Sequence, residues 1–122
     1  MSLSAKAPWL NYFGDMPHTI DYPKLTIYQL LAKNPKNYPE LPAYEFQGRK
    51  TTYGEFLKRI DRAAGALYAL GIRKGDRVML VLKRHYQFWF SILALHKLGA
   101  VVIPATNQLL EKDFTYRFQA AN

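Results

Sequence analysis

Three histidines, three serines and seven glycines are the residues of this 122-residue chain from which familiar catalytic constellations could be assembled. His18, His85 and His96 share no helical face, and neither an HExxH pattern nor a cysteine-based spacing occurs, so zinc chemistry has no ligand set. None of Ser2, Ser4 and Ser91 lies in a nucleophile elbow. Gly14, Gly48, Gly54, Gly65, Gly71, Gly75 and Gly99 are scattered, so no loop cradles phosphate in the Walker or Rossmann manner. What remains is binding. Two polar segments, Lys83-Arg84-His85 and Pro104-Ala105-Thr106-Asn107-Gln108, each follow an apolar run that reads as a strand. In open α/β sheets ligands bind beyond the carboxyl ends of parallel strands, and these are the two such positions here. The plainer reading is that they form turns and helix caps. His96 and Lys97 fall at the end of a helix, where positive charge complements the dipole, and read as structural.

The elements that must position these segments follow from local patterns. Thr26 can cap a short helix with Ile27, Leu30 and Leu31 on one face, ending at Asn34-Pro35. Residues 43–46 and 49–52 flank Gln47-Gly48, a two-residue hairpin turn with glycine supplying positive φ. Thr52 and Glu55 have capping-box spacing at the head of a helix. Its stripe is Phe56, Leu57, Ile60, Ala63, Ala64 and Leu67; Lys58, Arg59, Asp61 and Arg62 fall mainly on the other face, and Gly71 closes it.

Gly75-Asp76 turns into the uninterrupted apolar run 78–82, which reads as a strand buried on both faces. Residues 86–98 form a helix apolar nearly all round, including Phe88, Trp89 and Phe90, too short to span a bilayer and expected to be sandwiched inside protein. Gly99 stops it, 100–103 make the next strand, and the three elements compose a βαβ unit. A last helix is expected over about 110–121. Residues 1–24 mix aromatics and prolines without period and read as an extended arm. Residues 25–122 then form the first part of a larger α/β domain.

Hydrophobic residues make up 49% and aromatics 15% of the chain, enough for a packed core rather than a disordered tail. No cysteine is present, which fits a reducing compartment such as the cytoplasm, and no apolar h-region or membrane-length run appears. A net charge of +8 favours anionic partners without choosing among them, and the cations are spread rather than clustered. A nucleic-acid module would need exposed aromatics interleaved with cations. Since Phe88, Trp89 and Phe90 are expected to be buried, that class ranks last and no nucleic-acid partner is expected. The elements expose more apolar surface than they can cover, so either the natural chain continues past Asn122 or copies associate.

Three segments in order carry a resemblance: Thr51-Thr52-Tyr53-Gly54-Glu55, then Gly71-Ile72-Arg73-Lys74-Gly75-Asp76-Arg77-Val78, then Leu95-His96-Lys97-Leu98-Gly99-Ala100-Val101-Val102-Ile103-Pro104. Together they resemble the N-terminal part of the adenylate-forming superfamily, over roughly residues 25–122. Residues 104–108, followed by Asp113-Phe114-Thr115-Tyr116-Arg117-Phe118-Gln119, look most like the medium-chain acyl-CoA synthetases. The resemblance implies a parent enzyme that uses ATP, magnesium and coenzyme A to turn a carboxylic acid into a thioester through an acyl-adenylate. The likeness to the medium-chain enzymes implies contact of Gln108 with coenzyme A, and a more distant likeness to acetyl-CoA synthetases implies contact of Arg117 with the coenzyme's 3′-phosphate, a pairing suited to a guanidinium fork. The family's Ser/Thr/Gly-rich phosphate loop and its catalytic lysine have no counterpart in these residues, so the chain alone is expected to be inactive. A peptide-synthetase adenylation domain is the alternative within the superfamily.

Overall fold

Two local devices build the amino-terminal half. In the computed structural model, which describes residues 8–17, 19–83 and 85–121, strands β1 (Pro42–Phe46) and β2 (Arg49–Thr52) pair antiparallel with Phe46 opposite Arg49. The two residues between them, Gln47 and Gly48, have φ of 50° and 77°, and two consecutive positive values define the hairpin turn that matches strand twist. A bulge at Ala43 shifts the register between Pro42 and Tyr44. Thr52 then ends β2 and caps α3 (Tyr53–Ala69): its hydroxyl accepts the Glu55 N–H at 3.2 Å, and the Glu55 carboxylate accepts the Thr52 N–H at 3.3 Å. Gly71 and Ile72 close the other end, donating to the Tyr68 and Leu67 carbonyls.

A tight connection leads to the second unit. The Asp76 carboxylate accepts the Arg73 N–H at 2.7 Å, and the Arg73 guanidinium lies 3.7 Å from the Tyr68 ring while donating to the Tyr68 carbonyl. Strand β3 (Arg77–Val81), helix α4 (Tyr86–Leu98) and strand β4 (Val101–Ala105) form the expected βαβ unit, with the strands parallel from Arg77–Val101 to Val81–Ala105. Its register is set at the start, where Gly75 N–H donates to the Gly99 carbonyl and Val101 N–H to that of Asp76. Helix α5 (Glu111–Ala120) follows. The architecture is therefore α/β, with a hairpin, a βαβ unit and packing helices, as expected. No helix among the described residues is long and apolar enough to cross a membrane.

The core lies where α3 crosses α4. Phe56, Ile60 and Ala64 of α3 meet Ala94 of α4, and Tyr28, Tyr44, Leu67 and Phe90 pack around them. The short elements differ from the sequence reading. Helix α1 (Ile27–Leu31) is capped by Thr26 as read, yet Ile27 and Leu30 face solvent while Tyr28 and Leu31 pack on the core; the helix is too short for its pattern to choose a face. It also stops before Asn34-Pro35, where a separate turn α2 (Asn34–Asn37) begins. In keeping with the shortage of covering surface read from the sequence, neither β3 nor α4 is covered on all sides: Val81 is exposed, and in α4 only Ala94 and Leu95 are buried. Within the segment read as an extended arm, Pro8–Tyr12 forms a short 3-10 helix.

Tyr28 also explains Lys97. Its hydroxyl donates to the Asp61 carboxylate at 2.7 Å and accepts from the Lys97 ammonium at 3.0 Å, which itself meets Asp61 at 2.7 Å. The trio ties α1, α3 and α4 together. Partial burial alone would raise the Asp61 carboxyl, but the hydrogen bonds from Lys97 and Tyr28 and the lysine charge hold it below the usual range. The bond to Asp61 raises Lys97, against partial burial. The lowered acid stabilises above the ordinary carboxylate pKa and loses this as pH falls; the raised lysine stabilises below its ordinary pKa and loses this as pH rises. Both side chains are at least a third exposed, so Asp61→Asn is expected to cost under about 1 kcal/mol. Urea melts should show that cost near neutral pH and its progressive loss as pH falls through the lowered Asp61 carboxyl.

Candidate functional site

Because β3 and β4 are parallel and in register, their carboxyl ends lie side by side and the chain leaves both at the same edge. There Leu82 and Lys83 follow β3, Pro104 and Ala105 end β4, and Thr106, Asn107 and Gln108 turn toward α5. A groove of about 940 Å³ opens among them, closed on one side by Phe88 and Trp89 of α4. The turn is local in origin: the Thr106 hydroxyl accepts the Gln108 N–H at 3.3 Å, leaving the Gln108 side chain exposed. Helix α5 then begins with the Asp113 carboxylate accepting the Leu110 N–H at 3.0 Å; leucine offers no acceptor in return, so the cap is one-sided.

The groove joins two of the segments singled out by strand position. Lys83 and Gln108, distant in sequence, line one concavity. His85 does not: its ring stands edge-on to Phe46 at 5.8 Å, on the hairpin side of α4. Arg84 and His18 lie outside the described residues. Arg117 is half-buried on α5 and is absent from the groove lining. Phe88 and Trp89, read as part of a helix that needs more cover than this chain supplies, form the groove wall, Phe88 half-buried and Trp89 61% exposed. Their position was legible: they occupy the first turn of the helix that starts where β3 ends.

Chemically the groove offers one ammonium, two side-chain amides, a hydroxyl and an aromatic wall, with no paired acid and base and no nucleophile beside a base among its described residues. It is equipped to bind and orient rather than to react. No group of three or more carboxylate, histidine or cysteine side chains able to hold a metal ion occurs among the described residues. The groove lining includes no carboxylate among the described residues, so the groove itself offers magnesium no anionic side-chain ligand.

Comparison with known proteins gives this groove a context. The AMP-binding enzyme family matches residues 31–122. Acyl-coenzyme A synthetase ACSM5, mitochondrial, of Rattus norvegicus is 45% identical over 73 residues, covering 59% of this chain and 13% of that protein. The long-chain-fatty-acid–CoA ligase of Bacillus subtilis is 28% identical over 120 residues, covering 98% of this chain and 21% of the ligase. Among solved structures, NpsA-ThdA, an artificially fused adenylation–PCP di-domain peptide synthetase from Klebsiella oxytoca, superposes with a TM-score of 0.75 at 27% identity, over 82% of this chain and 19% of that one. The chain thus spans about a fifth or less of these three relatives.

Proposed function

We infer, from the premise that this chain belongs to the AMP-binding enzyme family, that it is the amino-terminal part of an ATP-dependent acyl-CoA synthetase. The reaction joins a carboxylate to the α-phosphate of ATP, releasing pyrophosphate. The coenzyme A thiol then attacks the acyl carbon and AMP leaves. A carboxylate is a poor electrophile, and adenylation gives its carbonyl carbon a good leaving group. Support for coenzyme A as acceptor comes from the names of both curated relatives, a synthetase and a ligase of CoA thioesters.

The observation that carries the reading is the strand-end groove, whose lining brings Gln108 and Lys83 into one concavity. In this reading the Gln108 amide hydrogen-bonds coenzyme A, and Lys83 adds positive charge beside its phosphates. Arg117, on the following helix, is assigned to the 3′-phosphate, for which a guanidinium fork is the fitting donor. Residues 25–122 are the first part of the enzyme's α/β domain, preceded by an arm over 1–24. With no cluster of metal-ligating side chains among the described residues, no step is assigned to magnesium here. The lack of cysteine suits a cytoplasmic enzyme, though the ACSM5 relative carries a mitochondrial designation.

The expected result is that the purified 122-residue chain catalyses no ATP–pyrophosphate exchange, while a parent protein containing it does so and transfers the acyl group to coenzyme A. Exchange by the chain alone would show that the adenylation machinery lies within it. The likeness to the peptide-synthetase di-domain supports a second reading, an adenylation domain that loads a carrier protein. Offering the parent both acceptors separates the two: preference for the carrier protein would displace coenzyme A.

A further inference from the structure

On the other side of α4 from the strand-end groove, the hairpin, α3 and α4 line an open cavity of about 670 Å³. Period-two and helical spacings aim side chains into it. Tyr44 and Phe46 share one face of β1, and Arg49 and Thr51 share the same face of β2, paired directly across the ladder. Arg59, Arg62, Ala63 and Ala66 form one stripe of α3, and α4 contributes Tyr86, Gln87 and Phe90.

The result is a ring wall facing cations. Tyr44 and Tyr86 are stacked with centroids 6.3 Å apart and planes 13° from parallel, and Phe46 meets Tyr86 edge-on at 5.6 Å. Arg59 is engaged in building this wall: its Nη1 donates to the Tyr44 hydroxyl at 2.9 Å, and its guanidinium lies 5.7 Å from the Tyr86 centroid. Arg49 and Arg62 have neither a hydrogen bond nor an ion pair from their side chains among the described residues. No carboxylate lines the cavity among the described residues. Three guanidiniums without a countercharge favour an anion, and two of them retain their full set of donors for it.

We propose that this cavity binds a small molecule bearing a flat ring beside an anionic phosphate or carboxylate, with the ring against Tyr44 and Tyr86 and the anion held by Arg49 and Arg62. The volume is that of small-molecule pockets, which run to about 300–1,000 Å³. Aromatic faces supply stacking area, and the guanidinium fork matches either oxyanion. A nucleoside monophosphate and an aromatic acid both have this chemistry. The assignment does not rest on the synthetase reading, because it concerns a different cavity and different residues.

Calorimetric titration of the chain with AMP, benzoate, adenosine and inorganic phosphate tests it. Binding of AMP, of benzoate or of both supports the site, and the pattern tells a nucleotide from an aromatic acid. Arg49→Ala and Arg62→Ala, at exposed positions whose folding is checked by thermal melting, should each weaken that binding about tenfold or more. Gln108→Ala, in the strand-end groove, should leave it unchanged. The proposal fails if neither ring-bearing anion binds, or if phosphate or adenosine alone binds as tightly. It also fails if the folded arginine variants bind like the unaltered chain.

Discussion

Replacing Ile60 with alanine is expected to destabilise the chain by about 2–5 kcal/mol, a large share of the roughly 5–15 kcal/mol that holds a domain together. The size follows from position. Ile60 is fully buried at the centre of α3, flanked one turn away on either side by Phe56 and Ala64, and faces Ala94 of α4. Its neighbours on that face include alanines, which cannot swing inward to fill the space a deleted side chain leaves. The lost apolar contact and the residual cavity therefore add rather than offset. Ile60→Val, which removes one methylene, should cost only about 0.5–1.5 kcal/mol. Tyr116→Ala on α5, where the residue is 71% exposed, should stay within about 0.5 kcal/mol. Urea unfolding of the three variants checks the order, and an Ile60→Ala value as small as that of Tyr116→Ala would place the core elsewhere.

That core was legible in the sequence because α3 is long and regular. Seventeen residues with a cap at one end and Gly71 just beyond the other give the apolar stripe enough turns to declare a face. The hairpin was legible for a different reason: a two-residue turn whose second residue is glycine dictates its own geometry. Short or uniform elements were not. Five residues of α1 could not reveal that Tyr28 packs inward and Ile27 outward, because the deciding partners, Asp61 and Lys97, lie far along the chain. Helix α4 is apolar on every side, so its sequence says that it wants cover but not which side receives it; the chain covers Ala94 and Leu95 and leaves Trp89 in the groove.

The sites divide along the same line. The strand-end groove was found from a topological rule that needs only the order of elements, and Gln108 fell into it for that reason. The arginine-lined cavity was missed because Arg59 and Arg62 sit on what the α3 stripe marks as its polar face. A polar face is assigned to solvent unless something non-local roofs it. Here the hairpin and α4 flank that face, bringing Tyr44 to Arg59 across fifteen residues of sequence. Hydrophobic periodicity reports which side of a helix is greasy; it is silent about a cavity walled by rings from one element and cations from another.

The second large effect is expected at Gly99, where Gly99→Ala should cost about 1–2 kcal/mol through the backbone alone. Gly99 holds φ at 75° as the left-handed residue ending α4, and a β-carbon there would lie 3.0 Å from Lys74 Cγ. The Lys74 side chain is exposed and can move aside, so the steric contact is the smaller part. The backbone cannot escape as easily. The Gly99 carbonyl accepts the Gly75 N–H, and two residues later Val101 N–H reaches Asp76, so relaxing φ would pull β4 out of register with β3 at its first rung. Gly65 provides the opposite sign. It sits inside α3 with ordinary φ, and a β-carbon added there would meet nothing within 4 Å, so Gly65→Ala should stabilise by about 0.5–1 kcal/mol, as alanine does in a helix interior. Thermal melts of the two alanine variants should therefore move in opposite directions. If both rise, Gly99 is not held left-handed and the α4–β4 junction differs from the one described.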